Sequence, residues 1–167
     1  MKSNTKKTAV LALFTAVSLV LSYIEAILPP IWSAVPGIKI GLANIIIIVV
    51  LYRFSLKEAA AVSLVRLLAL ALLFGNFMTF IYSLAGAVLS LAVMSAFKKI
   101  SWFSMVGVSV TGGVFHNLGQ ILVAMFLLET AEIGYYMIVL TFTGIVAGVL
   151  VGIAGALAIK YLERIKF

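Results

Sequence analysis

Pro36-Gly37-Ile38-Lys39-Ile40-Gly41-Leu42-Ala43-Asn44, PGIKIGLAN, runs directly into the wholly apolar stretch Ile45 to Leu51. Two helix breakers open it, a lysine stands between isoleucines, and an asparagine heads the apolar run. A lysine and an asparagine at the mouth of a membrane helix cost free energy unless polar groups meet them there. The rest of the chain reads as the enclosure that supplies those groups.

The composition around the stretch gives the class. Of 167 residues, 65% are hydrophobic and 10% charged, with a mean hydropathy of +1.28; soluble domains carry roughly 45–50% apolar and about 25% charged residues. Apolar stretches of about 20 residues, the length that crosses a bilayer, occupy nearly all of the chain, so residues 1–167 read as one membrane domain. Runs such as IIIIVVL and LLALALLF lack the in-and-out alternation of barrel strands, which makes this an all-α integral membrane protein. The absence of cysteine excludes disulfides, thiolate metal sites and cysteine nucleophiles. A net charge of +7 would suggest nucleic acid in a soluble protein. Here the placement of the charges explains it better, and no nucleic-acid partner is expected.

Helix 1 is expected over about 8–28, after a basic leader with Lys2, Lys6 and Lys7. The leader and apolar run resemble a secretory signal, but the run is of spanning length and more spans follow, so it reads as a retained helix. Pro29, Pro30, Pro36 and Gly37 make a loop that dips toward the membrane, with Trp32 as an interface anchor. Helix 2, about 38–52, is short for a crossing. Helix 3 covers about 56–74 with Arg66 near its middle, helix 4 about 77–97, helix 5 about 103–128 and helix 6 about 135–161.

Six spans place both termini on one side. With that side cytoplasmic, the inner segments hold Lys2, Lys6, Lys7, Arg53, Lys57, Lys98, Lys99, Lys160, Arg164 and Lys166, leaving Lys39 with Glu129 and Glu132 outside. The excess of Lys and Arg on cytoplasmic segments therefore predicts a multi-pass cell-membrane protein with both termini cytoplasmic.

At about 1.5 Å per residue, Glu25, Lys39, Asn44, Asn76, Thr79 and Tyr82 fall near the outer ends of their helices. His116, Asn117 and Gln120 lie in the middle to outer half of helix 5, and Arg66 lies close to the midplane. The inner half reads as almost wholly apolar. Asn44 and Thr79 have a plain alternative role as hydrogen-bonded glue between helices, and His116 as a buried histidine on a backbone carbonyl. Arg66 is harder to place. A charge at the bilayer centre costs at least about 2.5–3.5 kcal/mol, so it calls for a carboxylate, for which Glu25 is the one candidate within an apolar segment, or for an anionic ligand.

The reading taken is an outward-facing pocket for a small anionic ligand, lined by Lys39, Asn44, Arg66, Asn76, Tyr82, His116, Asn117 and Gln120. Arg66 and Lys39 anchor the charge; His116 and Gln120, at i and i+4, share a helix face. One histidine and one embedded glutamate are too few for zinc, no serine stands at a nucleophile elbow, and neither catalysis nor a cofactor is expected. Ala12 and Ala16 form an AxxxA stripe on helix 1. Gly144, Gly148 and Gly152 form GxxxGxxxG on helix 6, and such stripes let backbones approach closely.

Three motifs in order, PGIKIGLAN, RLLALALLFGNFMTFIYSLAGAVLS around Arg66 and GGVFHNLGQILVA around His116, resemble the Gx transporter family, also labelled heptaprenyl diphosphate synthase component I. The resemblance covers about Ala9 to Lys160. That family is similar to the substrate-binding S components of energy-coupling factor (ECF) transporters. The resemblance implies a six-helix bundle, cytoplasmic termini, an outer ligand pocket, and docking of a transmembrane coupling protein through an alanine motif, which Ala12 and Ala16 fit here. It also implies separate ATPase subunits, since the chain has no GxxxxGK[ST] phosphate loop. The ligand would be vitamin-like or isoprenoid-like. The second label implies a membrane accessory of a prenyl diphosphate synthase; the chain contains no aspartate, and the aspartate-rich motifs of the catalytic subunit are therefore missing. A secondary carrier is disfavoured by the lack of matching interrupted halves.

Overall fold

The computed structural model describes residues 2–27, 41–75 and 77–164. Among them lie six α-helices, one 3-10 turn and no strand: α1 Lys2–Ile27, α2 Asn44–Arg53, α3 Leu56–Leu73, α4 Phe77–Phe97, α5 Met105–Leu127, the turn Ala131–Tyr135, and α6 Tyr136–Arg164. Four segments, 5–27, 77–97, 105–127 and 131–164, are long and apolar enough to cross a membrane. The chain is thus a helical protein of membrane type. α3 is less apolar, since Lys57, Glu58 and Arg66 lie within its 18 residues. The loop with Trp32, together with Lys39 and Asn76, lies outside the described residues.

Two helix starts differ from the sequence expectation. α1 begins at Lys2, not near Thr8, because helical hydrogen bonding continues past the end of the apolar run; Lys7 there pairs with Glu58 at the start of α3. α2 begins at Asn44, later than the expected 38. Gly41 has a φ of +78°, a left-handed conformation that glycine adopts without a Cβ penalty, and the chain turns there before the helix starts.

α2 is about 15 Å long at the standard rise, half of the roughly 30 Å hydrocarbon core. Its residues Ile46 to Leu51 are all buried. A helix apolar on every side belongs inside a protein, and α2 packs against α1, α3 and α6. Its last turn is closed by Lys98 of α4, whose Nζ donates to the Leu51 carbonyl at 2.6 Å and lies 5.0 Å from the Tyr52 ring centroid. α3 starts on an N-cap at Ser55, whose Oγ accepts from the Lys57 N–H at 3.2 Å and whose hydroxyl donates to Glu58.

α4, α5 and α6 form a tightly packed layer, with α5 between the other two. Its closeness comes from glycine. A Cβ at Gly113 would stand 2.4 Å from the Gly144 carbonyl oxygen, and one at Gly119 2.8 Å from that of Ala85. Gly144, Gly148 and Gly152 are buried against α5, so the helix 6 glycine stripe packs inside the bundle. The alanine stripe of α1 does not: Ala12 and Ala16 are exposed and line a shallow groove between α1 and α3.

Lys7, Arg53, Lys57, Lys98 and Lys99 meet at one end of the bundle. The Lys7–Glu58 pair brings the start of α1 to the start of α3, and the Lys98–Leu51 bond brings the end of α4 to the end of α2. Glu129 and Glu132 lie beyond the far end of α5.

Candidate functional site

All six helices line one cavity, of about 210 Å³. On α4 it reaches from Thr79 to Met94, roughly 20 Å at 1.5 Å per residue, and it is accordingly a narrow slot. Each wall uses one helical face: Arg66, Leu70 and Phe74 on α3, Ser109, Gly112, His116 and Gln120 on α5, Gly144, Gly148 and Val151 on α6. The repeating intervals of three and four residues are those at which side chains share a helix face.

Arg66 is the charged centre of the slot. Its side chain is only 7% exposed, it donates from Nη1 to Ser22 Oγ at a long 3.5 Å, and its buried Nε has no hydrogen-bond partner. A buried guanidinium with an unmet donor is costly unless an acceptor meets it. Glu25 lines the same slot and acts on Arg66 through its charge, yet the two form no ion pair. The ion pair among the described residues is that of Lys7 with Glu58. Glu25 Oε1 instead accepts from the Gly41 N–H, tying α1 to the turn that opens α2.

Of the residues expected to bind ligand, Asn44, Arg66, His116, Asn117 and Gln120 come together on the slot. Tyr82 does not line it; Thr79, Phe80 and Ser83 take that face of α4, and Tyr82 stands half-buried beside them. Asn117 has a structural partner besides, since its Nδ2 donates to the Leu140 carbonyl of α6 at 2.6 Å. His116 and Gln120 owe their places to Gly86. A Cβ there would lie 2.7 Å from the His116 carbonyl oxygen and 3.0 Å from both the His116 ring and Gln120 Cγ.

The slot is also deeper and more polar than the sequence suggested. Ser90 and Ser109 line its basic-end half and are buried, as is Ser63 in the first half of α3, which corrects the expectation of an almost wholly apolar inner half. Read singly, these serines are ordinary small residues in apolar helices. The available signal was spacing: Ser109, Gly112, His116 and Gln120 form one stripe on α5, and Ser83, Ser90 and Met94 another on α4. Among the described residues no group of three metal-ligating side chains comes together. The site can hold and orient a polar group through one guanidinium, one carboxylate and several amides, an imidazole and hydroxyls.

Curated proteins and solved structures offer no match to the chain. A family model described as heptaprenyl diphosphate synthase component I does match, over residues 14–158, including α2 and every described residue that lines the slot. The chain belongs to the heptaprenyl diphosphate synthase component I family.

Proposed function

We propose that the chain is a non-catalytic, substrate-binding membrane subunit, similar to the S components of ECF transporters, that captures a small anionic ligand for transport powered by separate ATPase subunits. The observation that carries this reading is Arg66, buried with an unpartnered Nε on a slot shared by all six helices. A purely structural arginine would be expected to close on Glu25, and it does not. The slot's narrow shape suits a slender vitamin-like or isoprenoid-like molecule with its anionic group at Arg66. Asn44, His116, Asn117 and Gln120 supply hydrogen bonds, and Lys39 and Asn76 stand as further contacts to be tested.

The chain crosses the cell membrane six times with both termini cytoplasmic. The gathering of Lys7, Arg53, Lys57, Lys98 and Lys99 at one end supports this orientation through the positive-inside rule; α2 counts as a span because the other helices enclose its apolar core, and α3 because its exposed face, with Leu64, Val65, Leu68 and Leu72, is apolar. Ala12 and Ala16, exposed on α1, form the docking stripe for a transmembrane coupling protein.

A second reading follows from the family description, which supports a membrane accessory subunit of a heptaprenyl diphosphate synthase. Affinity purification of the tagged chain from its native membrane in mild detergent separates the two. Copurification of a coupling protein and its ATPases supports transport. Recovery of a soluble aspartate-rich synthase without them supports the accessory role. Arg66→Ala should abolish ligand binding while the protein stays folded, and retained affinity would remove Arg66 from the site.

A further inference from the structure

Arg66 and Glu25 are opposite charges on one slot, Arg66 buried and Glu25 half-buried, close enough for electrostatic interaction but not joined. Each has a partner of its own on another element. Arg66 reaches Ser22, one helical turn before Glu25 on α1, and Glu25 is held by the Gly41 N–H. Opposite charges on one partly buried slot attract, and leaving them apart keeps the desolvation cost of the buried guanidinium uncompensated. The arrangement is stable when something between them presents a positive group to the carboxylate and a negative group to the guanidinium. A simple anion meets only half of that requirement, because Glu25 repels it.

We infer that the slot's ligand is an amino-acid-like zwitterion, its acidic group on Arg66 and its ammonium on Glu25, with the remainder of the molecule extending along the slot. The inference rests on the reading of the cavity as a ligand site and specifies the chemistry of its occupant. Three features support it besides the charges. The slot is narrow. Among the described residues its polar lining beyond the two charges is made of amides, an imidazole and hydroxyls, including Asn44, His116, Gln120, Ser90 and Ser109. Its volume of about 210 Å³ is below the roughly 300–1,000 Å³ of pockets for drug-sized ligands.

The test uses the full chain purified in detergent, with melting temperature and calorimetric titration as readouts. The probes are the free L-amino acids, their N-acetyl derivatives, which keep the acid and lose the ammonium, and inorganic phosphate. The expected result is that at least one free amino acid binds and stabilises the protein while its N-acetyl partner binds about tenfold or more weakly. Glu25→Gln, which keeps an acceptor for the Gly41 N–H, should erase that preference without weakening the N-acetyl form. Equal binding of the paired probes, a preference that survives Glu25→Gln, or binding of phosphate but of no amino acid would overturn the zwitterion and leave the anion site standing. No binding of any probe, or binding indifferent to Arg66→Gln in a variant that still melts cooperatively, would overturn the site as well.

Discussion

At the scale of single residues, glycines decide more than their size suggests. Gly86 is the gap on α4 into which the His116 backbone and the Gln120 side chain fit. Gly86→Val should force α4 and α5 apart at the slot wall, costing about 1–3 kcal/mol as overpacking does. The checks are a lowered melting temperature in detergent and weakened ligand binding together. Asn117 separates differently. It bonds the Leu140 carbonyl, which Thr143 Oγ1 also donates to at 3.1 Å, so Asn117→Ala leaves that acceptor satisfied and should cost only about 1 kcal/mol, read from chemical denaturation. Arg66 was legible in the sequence because a charge in an apolar helix has few explanations. Gly86 and the buried serines were not, because a gap or a small hydroxyl acquires meaning only from the helix opposite.

Among the elements, α4 has the ends read from its apolar run, and α3 and α5 agree within two residues. In these helices Ser55, Ser104 or a charged or glycine turn marks the ends, and the sequence carries those marks. α1 and α2 were misjudged at their starts for opposite reasons. Apolarity reports where lipid stops, but α1 stays helical past that point; Gly41 reports where a helix stops, but its left-handed φ cannot be told from a packing glycine by composition. The cap on α3 offers a direct test: Ser55→Ala should destabilise the protein by about 0.5–2 kcal/mol, measured by chemical denaturation in detergent, with ligand affinity unchanged because Ser55 is remote from the slot. On α6, Gly148→Leu should be far more damaging. A Cβ there would already stand 2.6 Å from the Val110 Cα, and the expected outcome is loss of the folded species on size exclusion.

For the whole molecule, the lack of cysteine makes topology easy to examine. Single substitutions Lys99→Cys and Glu132→Cys, at opposite ends of α5, should react with a membrane-impermeant maleimide from opposite sides of the membrane, Lys99→Cys only from the cytoplasm. Labelling of both from the same side would overturn the six-span orientation. The bundle's two parts differ in how they are made. α4, α5 and α6 are locked through glycine contacts, whereas α1 and α3 pack around the apolar side chains of α2, with polar ties such as Lys7 with Glu58 and Glu25 with Gly41. The slot runs between them. Binding that bridges Arg66 and α5 would tie the two parts together.

The short α2, buried from Ile46 to Leu51, also bears on how the protein is made. Ten residues are too few to be held across a bilayer by their own hydrophobicity, and α6, which covers Ile48 through Gly155, is synthesised four helices later. During biogenesis α2 must wait in the insertion machinery, or beside α1 and α3, until its last neighbour arrives. Chains truncated before α6 should therefore be substrates for membrane quality control, degraded in the cell even though every earlier helix is present.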